Sequence, residues 1–479
     1  MPSARSAPFV PVAAAALVWL ACDRDDATDG ETTGERPDPQ VSASAGYEEA
    51  VKAADDASKS IPWLEDDYDR ALAFARERER PLVVYMWAPW CHTCRSMSSE
   101  VLPDPGLAPL ADRFVWLKVD TDREDNASVL ERLPMEVWPT LYVLDTDGAI
   151  LTRLTSAASV SQLREFLLEG EQAHLDAAAR AGELDDDDPR AHARRGDRAL
   201  SEGEYADAKA AYERALAVAP AGWPRRPDVL VSTILASVRI GDPEACGEIA
   251  RAHIDDTGAS SSAVSFSRYA RLCAELKPDP ADERALMKLA EARLAELVSG
   301  EHQLSQNDES TALRTRRQIR EALGDDEGAR ELARRQRDHL AEAARRAPSP
   351  GAASTFSWPR AEVHTYLGEP EALLPDLIEL AEELPGEYDP PYRVAWLARE
   401  AGDLDAAKTW ATRALELAYG PRKGRVYELL ADIHADAGDR DAEREVARAL
   451  AEHLRSLPGG QRQPERREAA EKRLDRLSQ

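Results

Sequence analysis

The chain contains few aromatic residues and no excess of basic ones. Aromatic side chains make up 6% of its 479 residues. Together with abundant alanine, this composition favours helices. Acidic residues outnumber basic ones by 89 to 61, which gives a formal net charge of −28. Because no basic stripe interrupts this acidity, nucleic acid is not an expected partner. The length alone predicts about two or three domains.

The N-terminal region also lacks an apolar run long enough to span a bilayer. Its most apolar stretch, Phe9 to Leu20, is short and is interrupted by Pro11. Because Arg5 precedes this stretch, we expect an export signal over residues 1–21 rather than a membrane helix. The polar residues 22–45 have no periodicity, and they predict a flexible tether.

Cysteine is scarce, and two of the five cysteines lie three positions apart in the segment PLVVYMWAPWCHTCR. The apolar residues from Leu82 to Trp87 predict a buried strand, and a helix is expected to begin at the cysteines. Two thiols with this spacing can bond to each other. The first also faces unpaired backbone N–H groups, which stabilise a thiolate. The pattern predicts thiol–disulfide exchange, with Cys91 as nucleophile and Cys94 as resolving thiol.

A permanent disulfide or half of a zinc site are the alternatives for this pair. Structural zinc requires four ligands, typically from a second cysteine pair or paired histidines. The nine histidines are scattered without that spacing. We therefore expect no metal and no dissociable cofactor, only a redox-active Cys91–Cys94 disulfide. For Cys246 and Cys273, a structural disulfide and two buried free thiols both remain open.

A second segment, VWPTLYVLDTDGAI, places Pro139 directly before an apolar strand, and an Asp-Gly turn and another strand follow. Combined with the CxxC segment, this order resembles the thioredoxin superfamily over about residues 58–172. The resemblance implies an α/β thioredoxin-like domain, which we assign to residues 46–175. It also implies a cis proline at Pro139 that faces the cysteines, in a substrate groove with Trp90, His92 and Trp138.

One position departs from the pattern of that family. Thioredoxins usually carry a buried acid six residues before the first cysteine, and this chain has Tyr85 there. A tyrosine with its normal pKa near 10 is a poor base at neutral pH. Glu100, Glu136 or water is then expected to assist proton transfer. The segment is more similar to the thioredoxin-like domains of periplasmic disulfide reductases and related exported proteins.

The export signal ends in Trp19-Leu20-Ala21-Cys22, which resembles a bacterial lipoprotein signal. That resemblance implies lipidation of Cys22 and a periplasm-facing membrane lipoprotein of the cell envelope. The alternative is a soluble secreted or periplasmic protein in which Cys22 has no such role. Both locations allow disulfides to persist.

The hydrophobic pattern changes after the acidic run from Asp185 to Asp188. The segment ARRGDRALSEGEYADAKAAYERALAVAP resembles a tetratricopeptide repeat, with small residues, tyrosines and a final proline at the expected places. Turns of glycine followed by an acid recur further along the chain. Residues 189–479 are therefore predicted to form an all-α tetratricopeptide-like solenoid. Its tryptophans are core residues or, less often, peptide anchors: Trp223, Trp358, Trp396 and Trp410.

These features predict an exported thiol–disulfide oxidoreductase, with reduction preferred from the resemblance. It would exchange disulfides with protein thiols of the envelope, while the repeats bind an unidentified protein partner. The alternative is an envelope scaffold whose repeats bind proteins and whose thioredoxin-like module is redox-inactive. The sequence leaves open the substrate, the electron donor, reduction against oxidation or isomerisation, inner against outer membrane, and the oligomeric state.

Overall fold

The structure, a computed structural model, describes residues 61–179, 187–277, 279–299 and 304–478. The predicted signal, the tether and Cys22 lie outside the described residues. Within the described ranges, no helix has the combination of length and apolarity that a membrane crossing requires.

The first part of the described chain is built on a five-stranded mixed sheet. Its strands are Trp63–Glu65 (β1), Leu82–Trp87 (β2), Val115–Asp120 (β3), Thr140–Leu144 (β4) and Ile150–Thr155 (β5). Their order across the sheet is β1-β3-β2-β4-β5. β1, β3 and β2 pair in parallel, and β4 is antiparallel to both β2 and β5. Helices cover the sheet: Tyr68–Arg78 (α1), His92–Ser96 (α2), Ala127–Arg132 (α3) and Val160–Ala178 (α4).

The sheet register brings three loops to one edge. Trp87 at the end of β2 pairs with Asp120 at the end of β3. Thr140 at the start of β4 pairs with Met86, one residue earlier in β2. The CxxC segment after β2, the loop after β3 and Pro139 before β4 therefore lie together at this edge.

The first helix begins later than the helical spacing of Leu64, Tyr68 and Leu72 would indicate. Leu64 belongs to β1, where it pairs with Leu117, rather than to the helix. The helix begins at Tyr68, after Asp67 has capped it by accepting a hydrogen bond from the Arg70 backbone N–H. A three-residue strand is too short to show its own periodicity, so its apolar residue joined the helical pattern of α1.

The remaining elements are helices, and most consecutive helices pack against each other. Short 3₁₀ segments connect some of them. The helices are Pro189–Ser201 (α5), Tyr205–Val218 (α6), Arg226–Ile240 (α7), Pro243–His253 (α8), Ser261–Glu275 (α9), Pro280–Ser299 (α10), Gln306–Ala322 (α11), Asp326–Arg346 (α12), Pro350–Ala353 (α13), Ser357–Leu367 (α14), Leu374–Glu383 (α15), Asp389–Glu400 (α16), Leu404–Leu417 (α17), Gly420–Asp436 (α18), Arg440–Ser456 (α19) and Pro464–Leu477 (α20).

Contacts inside the first helix pair explain its small residues. A Cβ atom placed on Gly196 of α5 would lie 2.5 Å from the ring of Tyr212 on α6, closer than atoms can pack. Tyr212 is fully buried, and its hydroxyl donates a hydrogen bond to Asp197 at 2.8 Å. Glycine on one helix thus makes room for the aromatic ring of the other, as the repeat pattern predicted.

Two open questions of the sequence are answered in the repeats. Cys246 of α8 and Cys273 of α9 form a disulfide. Trp223 is buried in the core of the repeats. Trp396 and Trp410 are partly buried against core clusters, and Trp358 stacks on Trp396 with ring centroids 4.9 Å apart.

The repeats pack directly against the thioredoxin-like domain. Gln461 donates hydrogen bonds to the carbonyl oxygens of Thr121 and Arg123, at 2.9 and 2.8 Å. At the other end of the array, buried Arg225 pairs with Glu169 of α4 at 3.1 Å. Residues near both ends of the array therefore contact the same domain. The edge of the sheet that carries the cysteines lies between these two contacts.

Candidate active site

The two cysteines of the CxxC segment form a disulfide at the beginning of α2. Cys91 occupies the N-cap position, and its Cα lies 5.2 Å from that of Cys94. The backbone N–H of Cys94 donates a hydrogen bond to Cys91 Sγ at 3.0 Å. In a reduced protein the same N–H would stabilise a thiolate on Cys91. Cys91 is 5% exposed and Cys94 is fully buried, so only Cys91 reaches the cavity described below.

The proline segment lies at the same edge of the sheet. The Trp138–Pro139 peptide bond is cis. Trp138 packs its ring against that of Trp90, with centroids 5.2 Å apart, and its Nε1 donates to Thr121 Oγ1 at 2.8 Å. These contacts order the proline segment next to the CxxC segment.

A cavity of about 640 Å³ lies over the disulfide. Cys91 contributes to its lining together with Trp90, His92 and Trp138, the residues predicted for a substrate groove. The opposite wall consists of residues from the repeats, among them Trp358. The structure therefore brings the predicted groove residues together, but places them under the helical array and not on an open surface. Their roles in substrate binding stay predictions.

His92 contacts a residue of the repeats. Its Nδ1 lies 2.6 Å from Oδ1 of Asn307 in α11, and this contact partly buries the ring. Burial lowers the pKa of His92 to about 4, although the hydrogen bond to Asn307 opposes that shift. The imidazole is therefore neutral at neutral pH. A neutral ring does not stabilise a Cys91 thiolate by its charge.

The loop after β3 contributes a carboxylate that sequence reasoning missed. Trp90 Nε1 donates a hydrogen bond to Asp122 Oδ2 at 2.8 Å, and the hydroxyl of Tyr388 donates to the same oxygen at 2.6 Å. Burial raises the pKa of Asp122, while these hydrogen bonds and the nearby Arg422 act to lower it. The neighbouring Asp120 has a pKa raised to about 7, chiefly by burial and then by the charge of Asp122.

Arginines of the repeats complete the support of the CxxC segment. Arg393 donates a hydrogen bond to the carbonyl oxygen of Trp90 at 3.3 Å. The guanidinium of Arg422 lies over the Trp90 ring, 5.0 Å from its centroid. Because Arg393 follows Trp90 by 303 positions, no local signal in the sequence could have found the contact.

The candidate proton acceptors occupy different places. Tyr85 is fully buried and donates a hydrogen bond from its hydroxyl to the carbonyl oxygen of Cys94 at 2.8 Å. Burial also raises the pKa of Tyr85, so this residue is a structural donor and not a base. Glu136 lines the same cavity as Cys91 and pairs with Arg239 at 2.8 Å. Glu100, whose pKa is raised by burial, lines a separate cavity.

The described residues contain no group of three or more His, Cys, Asp or Glu side chains arranged to hold a metal ion.

Comparison with known proteins finds a family match in the first domain. Residues 63–146 match a family model described as thioredoxin-like. The chain is 29% identical over 104 residues to protein disulfide-isomerase 1 of Dictyostelium discoideum. It is 26% identical over 111 residues to the thiol:disulfide interchange protein DsbD of Pseudoalteromonas atlantica. These matches cover 21% and 23% of this chain, and only 27% and 18% of the two relatives.

Solved structures with similar helical arrangements are distant. The chain aligns over 61% of its length with 99% of a tetratricopeptide repeat protein from Parabacteroides merdae, at 13% identity and a TM-score of 0.39. It aligns over 66% of its length with 82% of yeast Tom70, at 14% identity and a TM-score of 0.23. Because these scores are low, the repeat architecture rests on the helix packing and the Gly196–Tyr212 contact described above. The predicted fold class is confirmed: an α/β thioredoxin-like domain, matched by its family over residues 63–146, precedes an all-α tetratricopeptide-like solenoid.

Proposed function

We propose that this protein is an exported thiol–disulfide oxidoreductase that uses Cys91 and Cys94 to reduce disulfides. One observation carries the proposal: the bonded pair lies at a helix start in a thioredoxin-like domain, with Cys91 on a cavity. The names of both partial relatives, a disulfide isomerase and a thiol:disulfide interchange protein, support the same chemistry. The preference for reduction and the location in the cell envelope rest on the sequence resemblances.

The reaction needs both sulfurs in turn. A Cys91 thiolate attacks one sulfur of a substrate disulfide, which forms a mixed disulfide and releases the first substrate thiolate. Cys94 then attacks Cys91 Sγ, which restores the Cys91–Cys94 disulfide and releases the second thiolate. Cys91 and Cys94 lose their two thiol protons to water, and the two released thiolates take up two protons from water in turn. Two electrons pass from the protein to the substrate, and a dithiol donor returns them; the reverse sequence would oxidise a dithiol.

The repeats, in this proposal, hold and enclose the active segment. Asn307 binds His92, Arg393 binds the Trp90 carbonyl oxygen, and Arg95 donates to the Gly351 carbonyl oxygen at 3.5 Å. These contacts fix the CxxC segment and restrict the approach to Cys91. The other expected task of the repeats, recruitment of a protein partner, would use surfaces that the thioredoxin-like domain does not cover.

A single-turnover exchange experiment tests the proposal. The full-length protein is reduced with dithiothreitol, desalted and mixed with bis(2-hydroxyethyl) disulfide, and disulfide formation is followed by alkylation and mass spectrometry. We expect wild type to release two equivalents of mercaptoethanol more than the double variant Cys91→Ser, Cys94→Ser, which keeps Cys22, Cys246 and Cys273. Cys91→Ser should release no more than this double variant, and Cys94→Ser should retain a mixed disulfide on Cys91. Equal release by wild type and Cys91→Ser would contradict the proposal.

The burial of the pair favours one competing function. Cys91 is only 5% exposed, and fully buried Tyr85 replaces the acid of thioredoxins. A scaffold with a redox-inactive thioredoxin-like module would show both features. In that case the reduced wild-type protein would fail to exchange with the disulfide above.

A further inference from the structure

The cavity over the disulfide is basic, although the chain as a whole is strongly acidic. Its lining includes only two carboxylates, Glu136 and Asp308, against six arginines. The formal net charge of the chain is −28. Such a local inversion of charge attracts ligands of negative charge to the site. The arginines are Arg239, Arg268, Arg314, Arg393, Arg422 and Arg425.

Four of these arginines have a carboxylate oxygen within 3.4 Å. Arg239 pairs with Glu136 at 2.8 Å, and Arg314 pairs with Glu362 at 2.9 Å. Arg393 and Arg425 pair with acids of their own helices, at 2.9 and 3.4 Å. Their charges are therefore partly neutralised before any ligand arrives.

The two other arginines have less compensation. Arg268 lies over the ring of Tyr269, 4.7 Å from its centroid, and it forms no ion pair within the described residues. Arg422 lies between aromatic rings, and its ion pair with Asp389 is long, at 3.9 Å. Both guanidinium groups therefore line the cavity without a short ion pair among the described residues.

The dimensions of the cavity favour a small ligand. Its volume of about 640 Å³ falls within the usual range for small-molecule sites. The side chains of Arg239 and Arg425 are 42% and 50% exposed, which places them at the rim. Cys91 is only 5% exposed, which favours a small disulfide over the surface of a folded protein.

We infer that the substrate of the Cys91–Cys94 pair is a low-molecular-weight disulfide that carries carboxylates within a few bonds of its sulfurs. The inference rests on the proposed function and names its substrate class. Exchange follows the balanced steps given above, with a dithiol as electron donor. Arg268 and Arg422 bind the carboxylates of the disulfide, and of the mixed disulfide on Cys91, by charge-assisted hydrogen bonds.

Three disulfides with matched two-carbon arms test the charge preference: anionic dithiodipropionate, neutral bis(2-hydroxyethyl) disulfide and cationic cystamine. The rate of Cys91–Cys94 oxidation by each is divided by the rate at which the same disulfide oxidises free dithiothreitol, which removes intrinsic reactivity. We expect the normalised rate for the anion to exceed that for the cation by about tenfold or more at low salt. The ratio should fall as salt is added.

A matched pair of variants locates the effect. Arg268→Gln removes a cavity charge, whereas Arg334→Gln removes an arginine that pairs with Glu331 at 3.0 Å and does not line the cavity. We expect Arg268→Gln to lower the normalised rate for dithiodipropionate by about three- to tenfold, the effect of one screened ion pair. The ratio of the dithiodipropionate rate to the rate for the neutral disulfide should fall in Arg268→Gln, whereas Arg334→Gln should match wild type for both disulfides.

The possible results distinguish a wrong substrate assignment from a wrong assignment of oxidoreductase function. Exchange at equal normalised rates for all three disulfides would overturn the inference and leave the oxidoreductase intact. If none of the three disulfides exchanged with the reduced protein, both the substrate assignment and the proposed oxidoreductase function would be overturned. Reduction of insulin as fast as of dithiodipropionate, after the same normalisation, would show that folded proteins reach Cys91 and would overturn the small-substrate assignment. Because the wild-type series needs no variant, a folding defect in Arg268→Gln would not affect it.

Discussion

Trp90 and Tyr388 donate hydrogen bonds to the same oxygen of Asp122, at 2.8 and 2.6 Å. One buried carboxylate therefore joins the CxxC segment, the loop after β3 and the repeats. Arg422 lies over the Trp90 ring and adds a cation to this junction. The position of the residue before the nucleophile thus depends on a tyrosine far away in the sequence.

Removal of the Tyr388 hydroxyl should weaken this junction. Tyr388→Phe leaves one lone pair of a buried carboxylate without its donor, which costs about 1–3 kcal/mol of the free energy of unfolding. We expect a lower denaturation midpoint and a more accessible Cys91, measured by the alkylation rate of the reduced protein. Tyr427→Phe is the matched control, because its ring packs near His453 and not at this junction. Identical midpoints for the two variants would refute the assigned role.

The environment of His92 predicts a specific pH dependence. Its pKa in the folded protein is about 4, below the ordinary 6.5. Between these two pH values the unfolded chain binds more protons at His92 than the folded protein does. The contribution of a neutral His92 to the free energy of unfolding is therefore complete above about pH 6.5 and is lost as the pH falls towards 4. We expect His92→Gln to lose less stability than wild type on acidification over this range, measured by denaturant unfolding.

The exchange rate provides a second measurement for the same histidine. A neutral His92 does not change its charge between pH 6 and 8, so wild type and His92→Gln should show parallel rate profiles in this window. Asn307→Asp places a carboxylate next to the ring and should move its NMR titration upward. A wild-type His92 that titrates near its ordinary value would contradict the burial argument.

The disulfide of the repeats should contribute stability without taking part in exchange. It joins Cys246 and Cys273, which are 27 positions apart, and closing a loop of that length stabilises a fold by about 3–4 kcal/mol. We expect the double variant Cys246→Ala, Cys273→Ala to unfold at a lower denaturant concentration. Its single-turnover exchange should equal that of wild type below the transition. A loss of exchange in the folded double variant would mean that this pair relays electrons.

Membrane attachment remains a prediction from the N-terminal sequence. Cys22→Ser removes the thiol that the lipoprotein-type signal would acylate, and we expect the variant to leave the membrane fraction for the soluble one. Fractionation of cells that express either form provides the measurement. Retention of the variant in the membrane fraction would exclude lipidation at Cys22 as the anchor.

Local patterns in the sequence were sufficient for the longer strands and for the grouping of the predicted groove residues, but not for the three-residue β1. The strand from Leu82 to Trp87 has the predicted bounds, because a continuous apolar run in a central, fully covered strand leaves little ambiguity. The contacts between the repeats and the CxxC segment could not be predicted. The contact between His92 and Asn307 joins residues 215 positions apart, and repeat periodicity does not specify what a solenoid packs against.

Trp358 illustrates why the two expectations for the repeat tryptophans could not be separated from the sequence. Its ring stacks on Trp396, as in a core, and also lines the cavity that contains Cys91. Helical spacing indicates which side of a helix is apolar. Whether that side meets another helix or a cavity depends on the packing of the whole array.

The hydrogen bonds from Gln461 to the loop after β3 have a consequence for the newly made chain. A ribosome releases the Thr121 and Arg123 carbonyl oxygens 340 and 338 residues before it releases Gln461. Until then the loop after β3, which holds Trp90 through Asp122, lacks this contact with the C-terminal part of the repeats.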